Sequence, residues 1–125
     1  MSYLIHADQS RVVIGADFGG LSRRGLTQIV LMTECGATAF CAYRDSSGLA
    51  LEGAEVGAWE EVDAELAGFC DPTSGAFFEV ERRDRARLFR GRESVAGRLS
   101  WSGFGYVLPP SAKAFEYAVR IGEGA

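Results

Sequence analysis

Over residues 114–121 apolar and polar side chains alternate one by one. Phe115, Tyr117, Val119 and Ile121 fall on one side, and Glu116, Ala118 and Arg120 on the other. A period of two marks a half-buried β-strand, because successive side chains leave a strand on opposite faces. The spacing therefore predicts a strand at 114–121, with a helix capped by Ser111 as the alternative for this segment. A strand needs partners, and the rest of the chain offers them. Residues 2–6 and 11–16, separated by Asp8-Gln9-Ser10, read as a hairpin. Thr27 to Glu34 reads as a buried strand, and 38–44 returns after a turn at Cys35-Gly36-Ala37. Asp45-Ser46-Ser47-Gly48 is a turn by composition. Phe77 to Arg82, Arg85 to Arg90, Ser94 to Trp101 and Phe104 to Leu108 read as a meander.

One segment departs from this pattern. Val56, Trp59, Val62, Leu66 and Phe69 recur at steps of three and four, which predicts an amphipathic helix over 55–69. Its other faces carry acids, and Gly68 and Asp71-Pro72 supply a stop. The expected architecture is therefore α+β. It is a mostly antiparallel curved sheet or half-barrel of about seven to nine strands, with the helix lying on or plugging it.

The chain has 125 residues, 47% of them apolar and 24% charged, which fits one globular domain over 1–125. No apolar run approaches the ~20 residues of a membrane helix, and residues 1–8 have neither a basic region nor a long apolar one. Three cysteines, Cys35, Cys41 and Cys70, make an odd count without regular spacing. This argues against a secreted disulfide framework and for a cytoplasmic protein with reduced thiols.

Chemistry that needs particular residues finds little to use. His6 is the one histidine, so a nucleophile–histidine site would have to be built on it; an edge-strand histidine is the plainer reading. A zinc site needs about four cysteine or histidine ligands in clustered spacing, and none is present. Asp17-Phe18-Gly19 matches a kinase metal-binding triplet, but the chain has no room for the remaining kinase parts. Ser102-Gly103-Phe104-Gly105-Tyr106 lacks the context of a nucleotide loop, and its glycines read as a bend or a close approach of another backbone. No enzyme activity, cofactor or metal is expected.

Charge is segregated. Residues 51–76 hold seven acids (Glu52, Glu55, Glu60, Glu61, Asp63, Glu65 and Asp71) and no base. Residues 77–125 hold nine bases against six acids, with Arg82, Arg83, Arg85, Arg87, Arg90, Arg92 and Arg98 crowded together. Three readings follow. The acidic and basic segments neutralise each other as surface ion pairs. Alternatively, Glu55, Glu60, Glu61, Asp63 and Glu65 form a partner surface that occludes a basic, nucleic-acid-handling protein, as an inhibitor or immunity-type protein would. In the third, Arg82, Arg83, Arg85, Arg87, Arg90 and Arg92 contact phosphates of a nucleic acid. A structural or assembly subunit, of a homo-oligomer or a viral particle, pairing through strand edges, is the alternative function. Trp59 is expected in the core. Trp101, Phe104 and Tyr106 are expected either there or as a stacking platform on an open sheet face.

Overall fold

A computed structural model describes the backbone of residues 2–8 and the full residues 10–36 and 38–123. Among the described residues the chain forms eleven strands: β1 (Ser2–Asp8), β2 (Arg11–Asp17), β3 (Ile29–Cys35), β4 (Ala42–Asp45), β5 (Ala50–Glu52), β6 (Glu60–Glu61), β7 (Leu66–Cys70), β8 (Phe77–Glu81), β9 (Arg87–Val95), β10 (Arg98–Leu108) and β11 (Ala114–Gly122). A 3-10 turn spans Gly53–Val56. A seven-stranded sheet runs β1-β2-β11-β8-β7-β4-β5 and a four-stranded sheet runs β3-β10-β9-β6. Every pairing is antiparallel.

The expected α+β class is thus overturned: the described residues are nearly all β, in two sheets rather than one curved sheet, and no helix occupies 55–69. Gly57 takes φ 81 directly after the 3-10 turn, a left-handed backbone that stops helix growth. Beyond it the side chains alternate. Glu61, Asp63 and Glu65 are exposed, whereas Val62 and Ala64 are buried. Val62 donates its N–H to the Leu88 carbonyl at 2.8 Å, and Phe69 lies in β7. The three- and four-residue spacing runs through a 3-10 turn (Val56), a crossing segment (Trp59), the residue after β6 (Val62) and β7 (Leu66 and Phe69), and is not one helix stripe.

Elsewhere several elements form as expected, but the 77–108 meander is divided between the sheets, β8 in the larger and β9 and β10 in the smaller, and β4 does not pair with β3. The hairpin forms as β1 and β2 in a seven-residue register, and the strand at 114–121 is β11, paired with β2 on one side and β8 on the other. The 45–48 turn forms, with Asp45 accepting the Ser47 N–H at 2.9 Å. The strand expected at 94–101 is split: Ser94 and Val95 end β9, and Arg98 to Trp101 run on into the strand expected at 104–108 as one strand, β10, which carries a bulge between Leu99 and Trp101.

The core lies between the inner faces of the two sheets. Phe104, on β10, is fully buried against Phe69 (ring centroids 5.1 Å apart), Phe78 (6.0 Å) and Tyr43 (6.4 Å) of the larger sheet. Tyr106 meets Tyr117 at 4.9 Å and Phe115 at 5.1 Å, and its hydroxyl donates to the Glu81 carbonyl. Burying such rings contributes on the order of 1.5–3 kcal/mol each. Arg23 locks the loop after β2 to the β10–β11 connection, donating to the carbonyls of Ala112 at 2.8 Å and Phe18 at 3.1 Å. Phe18 of the kinase-like triplet is a buried core residue, and Asp17 accepts the Gly19 N–H at 2.8 Å, so the triplet is a turn.

Candidate functional site

The outer face of the four-stranded sheet does not look like an ordinary solvated surface. β10 turns Phe104 and Tyr106 inward, so Trp101, Gly103, Gly105 and Val107 point outward. The register sets Gly105 beside Met32 of β3 and Phe89 of β9, and Gly103 beside Gly91. These three glycines form a track without side chains. Trp59 lies along it. A methyl group at Gly105 would collide with the Trp59 ring and stand 2.9 Å from the Met32 Sδ. At Gly91 a methyl would stand 3.4 Å from Trp59 and 3.3 Å from Trp101. The Trp59 and Phe89 rings stack at 5.1 Å with an interplanar angle of 4°.

Local structure explains why Trp59 arrives there. Arg90 donates to the Val56 carbonyl at 3.0 Å and pins the 3-10 turn to β9. Gly57 then reverses the chain, and Glu60 and Glu61 pair with Arg90 and Phe89 as the short edge strand β6. Between these anchors Ala58 and Trp59 cross the outer face. Trp59 stays 40% exposed, next to Met32 at 39% and Val30 at 38%. The expectation that Trp59 belongs to the core is corrected: it is an outer-face ring.

Charged groups stand around this patch rather than in it. Arg87 lies 5.0 Å from the Phe89 ring centre, a cation–π contact, and donates two hydrogen bonds to Glu61 at 2.8 and 3.2 Å. The Glu61 carboxyl is held below its usual range by that Arg87 hydrogen bond. Glu93 accepts the Trp101 indole N–H at 2.9 Å, which fixes the ring. With Glu34 at the β3 edge, the rim has three carboxylates and one guanidinium.

The charge clusters singled out by the sequence sort themselves differently. Asp63 and Glu65 meet Arg82 at 3.0 and 3.8 Å, and Glu61 meets Arg87. Three of the five carboxylates expected on a helix surface are therefore held by the arginines that follow them. Glu55 accepts the Glu52 N–H at 3.2 Å in the 3-10 turn, and Glu60 is exposed on β6. Among the arginines, Arg90 points inward, 4.9 Å from the Tyr43 ring centre, and Arg92 donates to Ser94 at 2.8 Å. Arg85 sits in the β8–β9 turn with φ 70, Arg83 is half-buried, and Arg98 is exposed at the start of β10.

The structure places no group of three or more histidine, cysteine, aspartate or glutamate side chains at metal-binding distance among the described residues, and the side chain of His6 lies outside them. The three cysteines are free. No described helix is long and apolar enough to cross a membrane. A groove of about 380 Å³ on the outer side of the larger sheet, lined by Arg44, Leu66, Phe69, Cys70, Phe77 and Glu79, is open and shallow. Compared with known proteins, no family model, no curated protein and no solved structure matches the chain. What fold and site define together is a class: a two-sheet all-β protein with an aromatic face left open.

Proposed function

We propose that this is a non-catalytic binding protein that docks a protein partner on the outer face of its four-stranded sheet. The observation that carries the reading is Trp59, seated on the Gly91–Gly105 track, stacked on Phe89 and still 40% exposed. Large contiguous apolar patches on a soluble protein mark interaction sites. Tryptophan, methionine and arginine are the side chains that dominate protein interfaces, with charge kept to the rim. The rings here are already fixed by stacking and by the Glu93 hydrogen bond, so little side-chain entropy is lost on docking. Three rim carboxylates against one arginine favour a partner whose own apolar patch is ringed by basic groups. A stoichiometric inhibitor or immunity-type protein would use such a face, with the aromatic centre supplying affinity and the carboxylates supplying orientation.

The test is quantitative capture from a native lysate by wild type and three variants. Trp59→Gln and Trp101→Gln are expected to lose the captured protein. Asp63→Asn/Glu65→Gln, away from the aromatic face, is expected to keep it. The opposite pattern returns the contact to the carboxylates.

A further inference from the structure

β3 is an edge strand: β10 lies on one side of it, and among the described residues no strand lies on the other. Edges are normally guarded by charge, proline, bulges or short length. The other edge of the same sheet, β6, is two residues long and both are glutamate. β5 is three residues long and ends in Glu52. β1, the second long edge, carries His6 and Asp8 in its latter half. β3 has seven residues, and from Ile29 to Thr33 it has no charge, proline or bulge. Its outward side chains Val30 and Met32 are exposed.

We propose that two copies of the chain pair through β3, antiparallel about a two-fold axis normal to the sheet, with Leu31 of one copy opposite Leu31 of the other. Such an axis keeps the outer face outward, so residues opposite each other must both point out or both point in. That restricts the pairing to registers centred on a residue, and side-chain chemistry selects among them. Centring on Leu31 sets Val30 opposite Met32 twice, Ile29 opposite Thr33, and Gln28 opposite Glu34, where the amide donates to the carboxylate. Centring on Met32 sets Glu34 against Val30, and centring on Thr33 sets it against Met32. Centring on Glu34 opposes two like charges, which destabilises a strand pair. Only the Leu31 register matches apolar with apolar and gives the carboxylate a donor. The pairing joins two four-stranded sheets into one of eight and brings both aromatic faces to the same side. It does not rest on the partner-docking reading, since the purified chain alone tests it.

The experiment is sedimentation equilibrium of the purified chain over a concentration series. The expected result is a mass rising from one chain to two, and a Val30→Lys variant that melts like wild type and stays at one. Register is read by cross-linking in a Cys35→Ser/Cys41→Ser background. Opposed Cβ atoms lie about 4.5–5.5 Å apart, so a small backbone adjustment brings them to the roughly 3.5–4.5 Å that a disulfide spans. Val30→Cys mixed with Met32→Cys is expected to give a disulfide-linked dimer, and either variant alone is not. A one-chain mass at every concentration, or Met32→Cys linking to itself, overturns the proposal.

Discussion

The two faces of the four-stranded sheet carry similar rings. Inward, Phe104 and Tyr106 of β10 are closed over by Phe69, Phe78, Phe115 and Tyr117 from the larger sheet. Outward, Trp59, Phe89 and Trp101 are covered only in part, by one another, Arg87 and Glu93, although the glycines beneath them are buried. The inner rings hold the sheets together. The outer ones are held in place by β9 and β10 and leave their apolar area available. Aromatic content therefore does not separate core from interface; what lies on the far side of the ring does.

Truncation should separate the faces most strongly. Phe104→Ala removes a fully buried ring and is expected to lose about 3–5 kcal/mol in urea unfolding. Phe89→Ala, at the outer face, is expected to lose less than ~2 kcal/mol, while abolishing capture of the partner. Equal losses for the two would erase the distinction.

Glycine substitution sharpens it. A Cβ at Gly103 would collide with the Thr33 carbonyl and stand 2.9 Å from the Glu34 Cα, both backbone atoms that cannot rotate away. Gly103→Ala should cost about 1–3 kcal/mol by forcing β3 off β10. At Gly105 the obstacle is the Trp59 ring. Gly105→Ala should lift that ring, shift tryptophan emission to the red and destabilise by less, since a partly exposed side chain has room to move.

Alkaline titration probes the buried tyrosines of the inner face. Burial pushes the Tyr43 hydroxyl well above 10, aided by its bond to the Asp45 carboxylate at 2.6 Å. Burial does the same for Tyr106, reinforced by Tyr117 beside it. A folded-state value raised above the unfolded one means that this contribution to stability is complete below about pH 10 and is lost as pH rises through the folded value. Denaturant melts should hold steady from neutral pH to about 10 and fall above it, and Tyr106→Phe should flatten the fall. The smallest effect belongs to the exposed ion pairs: Asp63→Asn is expected to change stability by no more than about 0.5 kcal/mol.

Much of the fold was legible where alternation was uninterrupted. The pattern from Phe115 to Ile121 predicts β11, and the β1–β2 hairpin and the turn at Asp45–Gly48 follow from their own residues. The middle was misread because one spacing serves two structures. Val56, Trp59, Val62, Leu66 and Phe69 fit a helical stripe, while Glu61-Val62-Asp63-Ala64-Glu65 alternates as cleanly as any strand. Gly57 and Gly68 inside the supposed helix were the signal for the second reading. The charge segregation was visible, but the arginines that meet the acids lie 17 to 26 residues further along, and only the pairing of β6 with β9 and β7 with β8 brings them together. The aromatic face was half legible. The glycines at 103 and 105 imply a close approach, and the structure shows the Thr33 backbone at one and Trp59 at the other. Alternation along β10 separates Trp101 from Phe104 and Tyr106 once the bulge at Leu99–Trp101 is known. Nothing local to Trp59 reveals that its strap crosses the sheet.

Both tryptophans of the chain, Trp59 and Trp101, stand on the outer face, so intrinsic tryptophan emission reports that face and no other part of the molecule. The most direct measurement is acrylamide quenching of this emission in the free protein and again with the captured partner bound. The account predicts ready quenching when free, and a blue shift with strong protection when bound. Emission and quenching left unchanged by a partner that does bind would contradict it.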